Sequence, residues 1–252
     1  MWVMNSEMLN NRRPQQTYME NSLKRAYFFV LFILLVYFAN KINFSALVGT
    51  NNQFFTLFQF FGPIAGGFLG LWGSISVLFA EALDMLITDK PFTLITTLRL
   101  FPMVFGALYF AMIAHRRGWS RTALCTIPLI CIVLFMLHPV GRTVWYYSLF
   151  WLIPVIAAFI PSAWRGHLIW RSYGATFAVH AVGGAIWIYT VPMTAEQWIG
   201  LIPVVAYERF LFGLGIAGSY ILCTTLLDVL LEKVEIHDAV QIEKRYALHS
   251  PR

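Results

Sequence analysis

Charged residues are scarce in this sequence of 252 residues. Asp, Glu, Lys and Arg together make up 12% of the chain, whereas hydrophobic residues make up 59%. A soluble domain of ordinary composition is about one quarter charged and about half apolar. Because so little charge cannot cover a water-facing surface of normal size, we expect most of the chain to lie in a membrane.

Cysteine is also rare, and the residues that bind metals are dispersed. The three cysteines, Cys125, Cys131 and Cys223, fall within apolar stretches and show no C-x-x-C spacing, which favours membrane-buried thiols. The six histidines are scattered among loops, helix ends and one apolar run, and they do not indicate a metal cluster. We therefore expect no metal and no other cofactor.

The sequence lacks the motifs of the common membrane and nucleotide-dependent enzymes. It contains no H-E-x-x-H, no G-x-S-x-G and no glycine-rich P-loop. No serine lies at a recognisable spacing from a histidine and an acidic residue. We expect a protein that is not an enzyme, and any energised transport would need a separate ATPase partner.

What the sequence has in abundance is long apolar runs, separated by polar residues or by Pro and Gly. Seven runs cover residues 26–48, 53–87, 92–114, 122–139, 144–162, 172–192 and 203–231. A membrane-spanning helix needs about 20 apolar residues. The sequence thus predicts an all-α, polytopic membrane bundle with about six to eight spans. In this scheme 1–25 is a cytoplasmic N-terminal segment, 26–231 the transmembrane domain and 232–252 a cytoplasmic tail.

The second run, 53–87, is too long for one span. As a single helix it would measure about 52 Å, whereas the hydrocarbon core of a bilayer is about 30 Å thick. The Gly62-Pro63 pair predicts a break, because Pro suits the first turn of a helix and disfavours helical geometry before it. We expect a short or re-entrant piece from Gln53 to Phe61, followed by a span from Pro63 to Leu86.

The basic residues predict an orientation, since Lys and Arg accumulate in cytoplasmic loops. Thirteen of the 18 basic residues fall before the first run, in 115–121, in 163–171 or in the C-terminal tail. All four segments can lie on one side of the membrane only if the run 53–87 crosses the membrane twice or contains a re-entrant element. We therefore expect about eight segments in the cell membrane, with both termini cytoplasmic. Because the net charge of +6 comes from residues between apolar runs and not from a patch, no nucleic-acid partner is expected.

Seven ionisable side chains fall inside the predicted spans, where a charge is costly and marks a candidate functional site. They are Glu81, Asp84, Arg99, His180, Glu208, Arg209 and Asp228. A helix starting at Pro63 would carry two of them on a face with small residues, namely Gly62, Gly66, Gly70, Gly73, Ala80, Glu81 and Asp84. The first three glycines form a doubled small-x-x-x-small motif that lets another helix approach closely. The two acids are boundary residues, bind a cationic group or pair with Arg99 on the next span.

His180 and Trp187 share one helical face with Gly184 in a stretch that is otherwise free of charge. They could line a pocket for a planar aromatic ligand. The tryptophan would stack on the ligand, and the histidine would form a hydrogen bond with it. The alternative is that His180 is hydrogen-bonded to a neighbouring helix.

Glu208 and Arg209 are adjacent, so on a helix their side chains point about 100° apart and pair poorly with each other. If Pro203 begins the helix, the two lie about one and a half turns below the outer surface. A substrate that enters from outside would meet them there. The alternative is an interhelical salt bridge, for example between Arg209 and a carboxylate of an adjacent span.

The stretch from Phe58 to Gly70, FQFFGPIAGGFLG, which continues to Glu81 and Asp84, resembles part of a known family. It is similar to the second and third spans of substrate-binding S components of energy-coupling-factor (ECF) transporters, over about 30 residues. The resemblance implies a small membrane protein that captures a vitamin or related micronutrient from outside. It also implies docking on a transmembrane coupling subunit bound to two ATPases.

On this resemblance the pocket would be built from the later spans, with His180, Trp187, Glu208 and Arg209 in its lining. The chain begins Met1-Trp2, without the second-position histidine of the nickel and cobalt members, so a metal substrate is not expected.

Two functions stay open. The first is a substrate-capturing subunit of a transporter for a small, vitamin-like organic nutrient, which predicts a solvent-reachable cavity near the outer side. The second is a non-catalytic membrane scaffold or accessory subunit, whose glycine faces serve helix packing and whose basic loops bind a partner or anionic lipid. It predicts a filled core.

Overall fold

The computed structural model describes residues 23–24, 26–46, 54–114, 118–164, 166–234 and 240–249. These residues are mostly helical, which confirms the all-α prediction. The helices are α1 (Ala26–Ala39), α2 (Phe58–Leu69), α3 (Leu71–Ile87), α4 (Leu94–Leu98), α5 (Phe101–Ala114), α6 (Gly118–Leu137), α7 (Pro139–Thr143), α8 (Ile153–Phe159), α9 (His167–Thr190) and α10 (Ala195–Val234). Two 3-10 helices, Trp145–Leu152 and Lys244–Tyr246, complete the helical part.

A short antiparallel ribbon of two strands, which the sequence did not predict, follows α1. Its strands are β1 (Asn43–Ala46) and β2 (Phe54–Thr56). The ribbon brings the chain back toward α1, because the backbone N–H of Leu57 donates to the carbonyl of Ile42. Helix α2 therefore starts where α1 ends and runs in the opposite direction.

The break in the long run 53–87 lies at Gly70 and not at Gly62-Pro63, so the predicted short piece before Pro63 and the predicted span from Pro63 are wrong. Helix α2 continues through Pro63, since one proline removes only one backbone hydrogen bond. Gly70 has a φ of 61°, a conformation that glycine adopts without steric cost. Helix α3 then folds back on α2, and a Cβ atom on Gly73 would collide with the Ala65 backbone.

The run 53–87 thus forms a helical hairpin and passes along the bundle twice, as the distribution of basic residues required. Phe68 near the end of α2 packs on Phe32 of α1, with ring centres 5.4 Å apart. Lys41, just beyond α1, binds Asp84 near the end of α3. Helices α1 and α3 are therefore parallel to each other and antiparallel to α2.

The later helices continue this alternation. Helix α5 runs parallel to α2, since Gly62 meets Met103 and Gly66 meets Ala107. Helix α9 is antiparallel to α5. Helix α10 is antiparallel to α9 and packs on it where Tyr173 stacks on Phe210. In the described part the chain passes along the bundle eight times, in α1, α2, α3, α5, α6, the 3-10 helix with α8, α9 and α10.

The two ends of the bundle carry different segments. One end, called the Lys41 end, holds Lys41, Lys90 and the α6–α7 junction at His138. The opposite end, called the tail end, holds the Gly70 turn and residues 240–249. There the backbone N–H of Gln241 donates to the carbonyl of Phe68, and Val240 is buried. Residues 240–249 of the predicted tail, 232–252, are therefore folded onto the bundle. The predicted N-terminal segment, 1–25, lies outside the described residues except for 23 and 24.

Helix α9 lies at the centre of the bundle. Sixteen of its 24 residues are buried, among them Arg171, Ser172, Thr176 and His180. A helix enclosed by other helices faces protein on all sides and does not need to be apolar throughout. The helices around it instead expose large hydrophobic side chains on their outer faces.

By length and composition alone, two helical stretches of the described residues suffice to cross a membrane, Leu94–Ile113 and Ala195–Leu231. This is fewer than the predicted six to eight. Four shorter apolar stretches have 10 to 17 residues, namely Ala26–Ala39, Phe58–Leu69, Arg121–Leu137 and Trp145–Phe159. The stretches Leu94–Ile113 and Ala195–Leu231 support association with a membrane.

Candidate functional site

Two adjacent charged residues are buried in the middle of α10. Glu208 is 9% exposed and Arg209 is 6% exposed. Helix α10 begins at Ala195 and contains Pro203 in its interior, so the prediction that Pro203 begins the helix is wrong. The pair lies about 20 Å along the helix from its start, much deeper than one and a half turns.

The Arg209 guanidinium lies beside two aromatic rings that contact each other, with ring centres 4.9 Å apart. Its Cζ atom is 4.8 Å from the ring centre of Phe212 and 5.3 Å from that of Phe55, which belongs to β2. Among the described residues no carboxylate forms a salt bridge with Arg209, and its buried Nε atom has no hydrogen-bond partner. The interhelical salt bridge considered from the sequence is thus not found in this part of the chain.

Glu208 likewise forms no ion pair within the described part of the chain. Helix α10, which carries Glu208 and Arg209, packs against α9, which carries His180, and against the 3-10 helix that carries Tyr147. We call these four residues, with Phe55 and Phe212, the Arg209 site.

His180 has a hydrogen bond at each ring nitrogen. Trp151 donates from Nε1 to Nδ1 over 3.1 Å, so Nδ1 carries no proton. We therefore assign the proton of the neutral ring to Nε2, which donates to the Tyr147 hydroxyl over 3.1 Å. Both partners lie on the 3-10 helix Trp145–Leu152. His180 is thus bonded to a neighbouring segment, the alternative that the sequence left open.

The space that a planar ligand would need beside His180 is filled by the protein's own aromatic rings. Gly184 lies one turn beyond His180, and a Cβ atom there would come within 2.6 Å of the Trp151 ring. Trp151 in turn packs edge-to-face on Phe135, with ring centres 5.2 Å apart. Trp198 of α10 contacts the same Phe135 ring at 5.2 Å. This cluster holds α6, α9, α10 and the 3-10 helix together.

Trp187 does not belong to the Arg209 site. It lies about 10 Å further along α9 than His180. Its Nε1 donates to the sulfur of Met193 over 3.2 Å, and the Arg99 guanidinium lies 5.0 Å from its ring centre. Among the described residues Arg99 forms no salt bridge with an acidic residue of the preceding span and is instead stacked on this tryptophan.

The acidic residues of α3 lie at the Lys41 end. Asp84 is buried and binds Lys41 and Lys90, the latter at 3.1 Å. The hydrogen bond from Lys41 to Asp84 raises the pKa of Lys41. Glu81 is half-buried, and its Oε2 atom has no hydrogen-bond partner among the described residues. Asp84 is thus neutralised by two lysines.

The glycines of α2 lie against α5. A Cβ atom on Gly66 would collide with the backbone carbonyl of Ala107, and one on Gly62 would collide with the Met103 side chain. The third glycine of the motif, Gly70, forms the turn between α2 and α3 and does not share their face.

A second charged cluster, which the sequence did not predict, lies at the tail end. Arg171 of α9 has no exposed surface and pairs with Glu243 at 2.5 Å. Its Nε atom donates to the carbonyl of Phe110 over 3.1 Å. Arg245 and Tyr220 also bind the Glu243 carboxylate, at 2.8 and 3.0 Å. Sequence reasoning placed Arg171 in a basic loop, and no local signal links it to a residue 72 positions away.

These contacts change the acidity of Glu243. Burial raises its pKa, but the charge of Arg171 and the hydrogen bonds from Arg171, Arg245 and Tyr220 outweigh burial. The net pKa lies below the usual value of 4.5. Glu243 is therefore a stable anion at neutral pH and neutralises Arg171.

Two further features of the described residues bear on ligand binding, a small cavity and the placement of the metal-binding side chains. A cavity of about 10 Å³ lies between α5, α6 and α9, lined by Phe105, Tyr109, Leu124, Ile127, Pro128 and Ala178. This is about the volume of one water-sized sphere and too small for an organic molecule. No group of three His, Cys, Asp or Glu side chains in this part of the chain is placed to hold a metal ion.

Comparison with known proteins adds no assignment to this geometry. The chain matches no protein-family model, and it matches neither a curated protein nor a solved structure. The resemblance to ECF S components stays a prediction, and the Arg209 site is the observation on which a function can be argued.

Proposed function

We propose that the chain is a multi-pass protein of the cell (cytoplasmic) membrane, embedded in the lipid bilayer. The distribution of side chains supports this, because large hydrophobic residues are exposed outside while Arg171, His180 and Arg209 are buried inside. Contiguous exposed apolar surface is rare in soluble monomers. In this proposal the tail end lies on the cytoplasmic side, which the basic residues of the loops support.

We further propose that this protein captures a small, vitamin-like organic molecule as the binding subunit of a transporter and does not catalyse a reaction. One observation carries this proposal: the charged guanidinium of Arg209 is buried without a salt bridge among the described residues, and its Nε atom has no hydrogen-bond partner there. An unpaired charge at membrane depth is costly and is kept where it serves binding or transport.

The energy for transport would come from a separate partner. The sequence has no P-loop, so a transmembrane coupling subunit and cytoplasmic ATPases would supply ATP hydrolysis, as the resemblance to ECF S components implies. The tail end is the surface available for such partners on the cytoplasmic side.

Co-purification tests this function directly. The full chain is isolated from its native membrane in mild detergent, and bound small molecules and subunits are identified by mass spectrometry. We expect one organic molecule in near-equimolar amount, together with ATPase subunits. If neither is found after isolation at low detergent, the capture function is refuted.

A scaffold or accessory subunit of a larger membrane complex is the second candidate, and the packing of the core favours it. Both nitrogens of His180 are bonded internally, and the aromatic cluster around Phe135 is filled. A scaffold would co-purify with other membrane subunits but with no small molecule, so the same experiment separates the two functions.

A further inference from the structure

We propose that Arg209 is a binding site for the carboxylate of an organic ligand, an assignment that rests on the proposed capture function. The guanidinium is held in place by the rings of Phe55 and Phe212, at 5.3 and 4.8 Å, and is 6% exposed. These rings attract the cation through their faces but accept no hydrogen bond along its edge.

On the edge of the guanidinium, the Nε atom lacks a hydrogen-bond partner among the described residues. The guanidinium N–H groups form a planar fork that matches the two oxygens of a carboxylate, and charge-assisted hydrogen bonds of this kind are strong. The Nε atom is buried and unbonded among the described residues, whereas the corresponding atom of Arg171 donates to a backbone carbonyl. In the described part of the chain Arg171 also has one unbonded nitrogen, Nη2, but its Nε and Nη1 atoms are both hydrogen-bonded.

The surroundings favour an organic monoanion over a phosphate. Phe55 and Phe212 lie beside the guanidinium and provide aromatic surface for the uncharged part of a ligand. Glu208 is adjacent and buried, and its negative charge would repel a dianion more strongly than a monoanion. A ligand with a single carboxylate on an apolar body fits both conditions.

Benzoate and benzamide test the assignment, because they have the same shape and differ in charge. Equilibrium binding of labelled benzoate is measured on the full chain in lipid nanodiscs for three proteins: wild type, Arg209→Met and Arg142→Gln. Arg142 is an exposed arginine near the Lys41 end and serves as the control. We expect saturable binding to wild type and Arg142→Gln, and at least about tenfold weaker binding to Arg209→Met.

Benzamide should compete at least about tenfold more weakly than benzoate on the wild-type protein. Equal competition by benzamide, unchanged benzoate binding to Arg209→Met, or no benzoate binding to wild type would each overturn the assignment. Should Arg209→Met fail to fold, the wild-type comparison of the two probes decides by itself, and Arg209→Lys replaces the variant.

Failure of this assignment can be distinguished from failure of the capture function. A co-purified molecule that binds wild type and Arg209→Met equally would leave the capture function standing and remove Arg209 from the site. Benzoate binding that depends on Arg209, with no co-purified molecule, would support the anion site and refute capture.

Discussion

Arg171 and Arg209 are both buried arginines, and they differ in what neutralises them. Arg171 has Glu243 at 2.5 Å and the carbonyl of Phe110 at 3.1 Å. Arg209 has two aromatic rings and no salt bridge in the described part of the chain. The first is a structural ion pair, and the second is the residue through which we argue binding.

Replacing Glu243 by Gln should destabilise the protein, because the Arg171 charge would stay buried without its partner. Removing one member of a buried pair costs about 3 kcal/mol or more. We expect the unfolding free energy in detergent to fall by that amount. The control Glu196→Gln, at an exposed position in the first turn of α10, should change it by less than about 1 kcal/mol. Equal effects of the two variants would contradict a special role for the pair.

The same pair predicts a dependence on pH. Because the folded protein lowers the pKa of Glu243 below its ordinary value, the stabilisation is complete above the unfolded pKa of 4.5. It is lost as the pH falls below 4.5 through the lower, folded value. Hydrogen exchange of residues 240–249 should therefore accelerate on acidification below 4.5. In Glu243→Gln it should be fast at every pH, and an exchange rate in wild type that does not respond to acid would count against the pairing.

Tyr147→Phe tests the hydrogen bonds of His180. The substitution leaves the Nε2 proton without its acceptor and should cost about 1 to 3 kcal/mol of stability. Tyr146→Phe, at the neighbouring exposed position of the same 3-10 helix, is the matched control and should stay within about 0.5 kcal/mol of wild type. Thermal unfolding of both variants in detergent would measure the difference, and similar melting temperatures would show that His180 does not depend on Tyr147.

At the scale of elements, the contact between α2 and α5 is set by the backbone. Gly66 faces the Ala107 carbonyl so closely that no side chain fits, and a backbone group cannot move aside as a flexible side chain can. Close helix approach at small residues is a common way to hold membrane helices together. The Gly70 turn then places α3 against α2.

Gly66→Ala should therefore loosen the α2–α5 contact and destabilise the protein by about 1 to 3 kcal/mol. Gly218→Ala is the matched control, because a Cβ atom on Gly218 of α10 would meet nothing within 4 Å. Alanine is the better helix former by about 1 kcal/mol, so the control should be neutral or stabilising. Unfolding in detergent would compare them, and destabilisation by the control alone would contradict the packing.

At the scale of the whole molecule, the chain passes along the bundle eight times. The start of α1 and residues 240–249 therefore lie at the same end of the bundle. Arg171 and the Glu243 carboxylate therefore meet at the same end as the Gly70 turn. The outer surface is apolar and the centre, α9, carries buried polar groups. This arrangement is the reverse of that in a soluble bundle and is the physical basis for the membrane proposal.

Cysteine labelling would test this orientation. Arg121 and Arg142 are exposed residues in α6 and α7, near opposite ends of the bundle. With Cys125, Cys131 and Cys223 replaced by Ala, a membrane-impermeant maleimide should label Arg142→Cys on intact cells and Arg121→Cys only after permeabilisation. Labelling of both positions from one side would contradict the multi-pass arrangement.

The sequence by itself determined where the helices lie. Backbone groups in an apolar environment must bond to each other, and the helix is the local way to do so, so each apolar run contains helices close to its predicted bounds. The run 53–87 was correctly judged too long for one helix. Its break was misplaced, because packing of α2 against α5 keeps the helix intact through Pro63 and the left-handed Gly70 forms the turn.

Only the tertiary structure decided which polar groups meet. Spacing along one helix put His180 and Trp187 on a shared face, yet Trp151 fills the space beside Gly184, and Trp187 contacts Arg99 and Met193 instead. The partners of a buried side chain depend on how deep each helix lies and how it is rotated against its neighbours. Both are set by the packing of the whole bundle, which a pattern along a single helix does not contain.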